Sequence, residues 1–178
     1  MKLVCKSRRI INIRSLEPTD QEKLYNYYSK IVKERTFILD QGSKITKEGE
    51  AEFLNLTLKA EKENKTIYLL AEYNNEIISS CSIEKRDKAL HHIADIGVIV
   101  AQKYRGEGIG KILMQKVIKE AKKKWKDLKI ITLDVFANNK IAQKLYYSLG
   151  FQVYGILPKG VYYRHRLVDR ISMFKKVR

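Results

Sequence analysis

Cysteine and proline are almost missing, with two of each in 178 residues. Cys5 and Cys81 have no metal-ligand spacing and are too few for a disulfide framework, which excludes a stapled secreted scaffold and a zinc module. Both read as reduced, structural thiols. No apolar run has the length of a membrane span. The N-terminal stretch MKLVCKSRRI is basic, yet it lacks the apolar stretch and small-residue cleavage site of a signal peptide, so a cytoplasmic location is expected. There is no internal repeat and no low-complexity linker. Acidic residues are also short, with 20 Asp and Glu against 36 Lys and Arg, for a formal net charge of +16.

What is present is the composition of a folded chain. Hydrophobic residues make up 44% and charged residues 31%, so residues 1–178 are expected to form one domain with a real core. Much of the positive excess lies at Lys116, Lys119, Lys122, Lys123, Lys124 and Lys126, near the end of an expected helix. A solvated face that complements the helix dipole is the plain explanation. Contact with RNA or the ribosome, or attraction of a polyanionic cofactor, are the other readings. His91, His92 and His165 fall in no recognisable constellation.

The most informative stretch runs from Asp95 to Ala121. Val98, Ile99 and Val100 close a buried strand. Arg105, Gly106, Glu107, Gly108, Ile109 and Gly110 form a glycine-rich turn. Ile109, Ile112, Leu113, Val117 and Ala121 then fall on one face of a helix. A glycine-rich turn feeding a helix N-terminus gathers unpaired N–H groups and partial positive charge, which suits a phosphate or pyrophosphate. The Walker A spacing fails, because Gly110-Lys111 is followed by Ile112 and Arg105 stands where the first glycine belongs. The dinucleotide fingerprint fails as well, since Gly106, Gly108 and Gly110 are evenly spaced.

Arg105 to Gly110 instead resembles the R/Q-x-x-G-x-G/A loop of the GNAT superfamily of N-acetyltransferases. A second stretch, NNKIAQKLYYSLGF at 138–151, is similar to that family's N-x-x-A-x-x-L-Y-x-x-x-G-F motif, with Asn139, Ala142, Leu145, Tyr146, Gly150 and Phe151 in place. Residues 67–151 carry the likeness well, the first sixty only in general layout. The pattern of elements is a strand at 11–16, helices from about 19 and 46, strands at 67–71, 77–83 and 91–100, the central helix, a strand at 130–135, a short helix at 139–149, and a last hairpin of 151–157 with 167–174. Sequence pattern alone gives a mixed α/β sheet. The resemblance implies an α+β fold with a mostly antiparallel central sheet of about seven strands, four helices and a splay between strands four and five.

The resemblance also implies the site. Acetyl-CoA would be the co-substrate, with no metal. Its pyrophosphate would lie on Arg105, Gly106, Glu107, Gly108, Ile109, Gly110 and Lys111, and its pantetheine arm along the backbone of Val98, Ile99 and Val100, near Asn139. Tyr146 would protonate the departing thiolate, since a phenol near pKa 10 keeps its proton at neutral pH. A backbone N–H near Val98 to Val100 would meet the oxyanion. Asp95 and Glu34 are the candidate bases, against the plainer reading that both are ion-pair carboxylates; proton loss through ordered water is the family's other route. Neither cysteine falls in a motif, so direct transfer in a ternary complex is expected. The acceptor would be a primary amine: a protein N-terminus, a lysine, a polyamine or a small amine. The basic connection from Pro158 to Arg166 would face it, and Arg164 and Arg166 favour an acceptor carrying a carboxylate or phosphate. A catalytically inactive CoA-binding or ribosome-associated relative is the alternative; acyl-chain preference and a homodimer stay open.

Overall fold

The computed structural model describes residues 2–5, 7–40 and 43–177. One eight-stranded sheet forms the frame, with strands in the spatial order β1-β2-β3-β4-β5-β6-β8-β7. They are β1 (Lys2–Val4), β2 (Ile10–Ser15), β3 (Thr66–Tyr73), β4 (Glu76–Lys85), β5 (Ile93–Val100), β6 (Ile130–Phe136), β7 (Gln152–Tyr163) and β8 (Arg166–Lys176). The helices are α1 (Gln21–Lys33), α2 (Lys47–Lys62), α3 (Ile109–Lys124) and α4 (Lys140–Ser148). Among the described residues only β5 and β6 run parallel; every other neighbouring pair is antiparallel. Seven strands match the expected layout. The eighth is β1, which pairs Lys2 with Asn12 and Val4 with Ile10.

The sheet is buried on both faces because its central strands alternate between two apolar layers. Ile67, Leu69 and Ala71 of β3 join Leu113, Val117 and Ala121 of α3 in the larger cluster. Leu70, from the same strand, joins Leu24, Tyr27 and Ile31 of α1 and Leu54 of α2 on the opposite face. The stripe read on α3 is therefore core, with Met114 and Ile118 also buried. Trp125 closes that helix and donates its indole N–H to the Asn64 carbonyl at 2.7 Å.

Thr46 caps α2 as its residue type favours, accepting from the Gly49 N–H at 3.1 Å. Asp20, just before α1, is 1% exposed; its carboxylate takes both arms of Arg14 at 2.6 and 2.7 Å and accepts from the Glu17 N–H at 2.9 Å. The last hairpin departs from expectation. Pro158 to Arg166 is not a long loop: β7 continues through an irregularity between Leu157 and Val161 to Tyr163. A two-residue turn, Arg164-His165, reverses the chain with both residues in the left-handed region. Arg164 and Arg166 thus stand at the tip of a long hairpin.

Candidate active site

Strands β5 and β6 pair only from Ile93–Asp95 to Ile130–Thr132, and then part. The hydrogen-bond alternation decides what faces the gap. Arg86 donates to the Ile93 carbonyl and Ala101 to the Ile78 carbonyl, so odd-numbered residues of β5 bond to β4. Even-numbered residues then direct their backbone towards β6, as His92 does in accepting from the Ile130 N–H. Past Asp95 that side of the strand has no partner strand among the described residues, which leaves the Val98 and Val100 N–H groups facing the gap. Ile99 is turned the other way. Its carbonyl accepts from the Tyr27 hydroxyl at 2.9 Å and the Ser79 hydroxyl at 2.7 Å. The Val100 carbonyl is taken by Arg105 Nε at 2.9 Å. Of the three residues named from sequence, Val98 and Val100 offer backbone to a ligand in the gap and Ile99 does not.

The turn at the head of α3 is built on glycine. Gly106 and Gly108 have φ of 80° and 85°, a region costly to residues with a Cβ, and Gly108 is the N-cap. Gly110 serves packing instead: a Cβ there would lie 3.3 Å from Val100 Cγ2 and 3.6 Å from Val98 Cγ2. The helix start is thereby drawn against the splayed end of β5. The N–H groups of Ile109, Gly110 and Lys111 precede the first helical bond, Ile112 to the Gly108 carbonyl at 3.1 Å, and have no backbone partner among the described residues, the arrangement that suits an anion. Lys111 is exposed beside them. Glu107 contributes backbone alone, because its side chain is engaged by Cys5, Ser7 and Arg9 on the N-terminal hairpin.

Tyr146 and Asn139 come from α4. Asn139 caps the helix, accepting from the Ala142 N–H at 3.1 Å, and its amide NH₂ is left for other partners. Tyr146 is 8% exposed and packs on Phe151 in the core cluster. Burial, with a smaller push from Cys81, raises its hydroxyl to about 12. Its hydroxyl makes no hydrogen bond among the described residues. Tyr147, one position on, is exposed.

Neither candidate base is free. Asp95 binds Arg86 through both oxygens at 2.7 Å and accepts from the Thr132 hydroxyl at 2.5 Å. Burial pushes its carboxyl up, but these bonds outweigh it and hold the group below its ordinary value. Glu34 accepts from the Gln102 N–H at 3.0 Å and pairs with Arg105. Cys81 is 1% exposed, and burial alone raises its thiol far above the usual range. Among the described residues, no group of His, Cys, Asp and Glu has a metal-binding arrangement.

Beyond the gap, Phe37 from the α1–α2 connection stacks on Tyr163 of β7 with ring centroids 4.6 Å apart, and Phe136 at the end of β6 meets both rings edge-on. Arg164 lies over the Tyr163 ring at 5.3 Å. These contacts bring the helical connection and the hairpin tip together over one end of the splay. No sequence spacing announced them, and the same is true of Tyr27 and Ser79 on the Ile99 carbonyl.

A family model described as Acetyltransferase (GNAT) family matches residues 23–151. The L-amino acid N-acetyltransferase AaaT of Escherichia coli is 27% identical over 106 residues, which span 59% of this chain and 65% of that protein, just under two thirds of its length. A GNAT-family acetyltransferase from Streptococcus pneumoniae superposes with a TM-score of 0.83 at 27% identity, covering 94% of this chain and 99% of that one. YncA of Salmonella typhimurium, solved with its cofactor acetyl-CoA, shares the fold at a TM-score of 0.81 and 19% identity, over 94% of each chain. The chain belongs to the acetyltransferase (GNAT) family, whose co-substrate is acetyl-CoA.

Proposed function

We propose that this acetyltransferase moves the acetyl group of acetyl-CoA directly to the primary amine of a small acceptor bearing a carboxylate or phosphate. The observation that carries direct transfer is the gap itself. Backbone N–H groups of Val98 and Val100 face it, and the phosphate turn stands at the head of α3. The pantetheine arm, an amide-bearing chain, completes the unpaired edge of β5 as an added strand would. The amine attacks the thioester carbonyl, a backbone N–H of β5 receives the oxyanion, and the carbon–sulfur bond breaks. Tyr146 gives its proton to the leaving thiolate. With Asp95 and Glu34 both ion-paired, the amine proton leaves through water. Cys81 is buried and protonated, so no acyl-enzyme forms on it.

The acceptor class rests on Arg164 and Arg166 at the hairpin tip, both exposed cations that would repel a polyamine. The name of AaaT points the same way. Rates with spermine set against amino acids and a short peptide test this. Amino acids or the peptide should lead, and Arg164→Ala should raise their KM about threefold to tenfold. A polyamine preference would sink the acceptor assignment.

A second reading concerns another face. Lys119 and Lys122 of α3 and Lys175 and Lys176 of β8 line a groove of about 440 Å³ with Ser148 and Leu149. None of the four lysines has an acidic partner among the described residues. This surface would take a phosphate backbone such as RNA, in addition to the acetyl transfer.

A further inference from the structure

Glu107 is the one acid between Arg105 and Lys111, and it stands between the two left-handed glycines of the anion-binding turn. A free carboxylate there would oppose the two negative charges of a pyrophosphate. The fold turns it away. Cys5 Sγ and Ser7 Oγ donate to Glu107 Oε2 at 2.9 and 2.6 Å, and Arg9 pairs with Oε1. The bonds from Cys5 and Ser7, with Arg9, hold the carboxyl below its ordinary value, so it is ionised at neutral pH. Arg9 is itself fixed. Its guanidinium lies 5.8 Å from the Tyr73 ring centroid and 5.6 Å from that of Tyr104, and the two rings meet edge to face at 6.2 Å. Tyr104 directly precedes the turn, so the clamp and the turn belong to one unit.

We infer that Arg9 is a positioning residue of the cofactor site: it neutralises Glu107 and holds it off the pyrophosphate, so that the turn presents its N–H groups to the anion with no opposing carboxylate. Arg9 acts through Glu107 and its tyrosine seats. Neutralising Glu107 in place matters more than filling the pocket, because the charge persists when Arg9 is lost and only its compensation disappears. The short β1 strand, otherwise a bare edge of the sheet, is thereby tied to the site, since it leads into the connection that carries Cys5, Ser7 and Arg9 to the turn.

Calorimetric titration of the full chain with acetyl-CoA and with S-acetylpantetheine, which lacks the pyrophosphate, tests this. Arg9→Ala should weaken acetyl-CoA about fivefold to tenfold at low ionic strength and leave S-acetylpantetheine unaffected. Glu107→Gln added to Arg9→Ala should restore most of the affinity, and the loss in the single variant should shrink in about 0.5 M salt. Equal weakening of both ligands, a double variant no better than the single one, or wild-type affinity in Arg9→Ala would each overturn the inference. Should Arg9→Ala give no cooperative melt, Arg9→Gln, which keeps a long polar side chain on the tyrosines, replaces it with the same expectations.

Discussion

At the scale of the residue, substitutions at Tyr146 and Gly108 test the proposed chemistry apart from the proposed binding. Tyr146→Phe removes the hydroxyl and keeps the ring on Phe151, so the core survives. Turnover should fall about 100-fold, the usual worth of a positioned acid, with the Kd for CoA within about twofold. Equal losses in turnover, affinity and melting temperature would make the tyrosine structural. Because burial holds its hydroxyl at about 12, the proton stays on the oxygen throughout the neutral and mildly alkaline range. A plot of kcat against pH should therefore show no alkaline decline from this group below about pH 11; a decline centred near 10 that vanishes in the Phe variant would contradict the burial argument. Gly108→Asp does the reverse. It places a Cβ at φ 85° and a carboxylate at the helix N-cap, facing the anion. CoA binding should weaken by more than about 100-fold, and unchanged affinity would remove the turn from the cofactor site.

At the scale of the element, the attachment of α1 to the sheet is electrostatic as well as apolar. Arg14 on β2 bridges Asp20 before the helix and Glu72 on β3, and Lys23 of α1 donates to the same Glu72 at 2.5 Å. The hydrogen bond from Arg14, opposed by burial and reinforced by Lys23, lowers Glu72 to about 2. A depressed carboxyl stabilises the fold in full above its unfolded value, near 4.5, and the contribution is lost as pH falls towards 2. The melting temperature should drop across that window, and Glu72→Gln should flatten the drop; an identical slope in the variant would mean the network contributes nothing. Nothing in the spacing of Arg14, Lys23 and Glu72 foretells this, for they lie on three elements. The same limit explains the other misses. Order, type and rough bounds of the helices and seven strands were legible because they follow from local periodicity. The turn at Gly106–Gly110 was legible because its geometry demands residue types. The direction of the Glu107 side chain was not, since Arg9 is 98 positions away. Nor was the continuation of β7 through Pro158, where an irregularity in the ladder tolerates a residue without an N–H. Asp95 was placed on the correct strand, but only its cross-strand neighbour Arg86 reveals that it is already paired.

At the scale of the whole molecule, the lysine-rich surface and the proposed site of acetyl transfer occupy opposite ends of α3. The N-terminus of that helix meets the gap between β5 and β6. Its C-terminal half carries Lys119, Lys122, Lys123 and Lys124, and the first two share a groove with Lys175 and Lys176. From Ile109 to Lys122 the helix advances about 20 Å, about two and a half Debye lengths at physiological salt, so the two ends are electrostatically separate. If the groove follows a phosphate backbone, a labelled single-stranded RNA should bind with a strong salt dependence. Four phosphate contacts would give a slope of about −3 in log K against log salt. Lys119→Glu with Lys122→Glu should abolish that binding at low salt and leave the Kd for acetyl-CoA unchanged, because neither residue approaches the turn. A loss of cofactor affinity in that variant would show that the positive face draws in acetyl-CoA by its field. An absence of RNA binding by the unaltered chain at about 50 mM salt would return the lysines to the role of a solvated surface that complements the helix C-terminus.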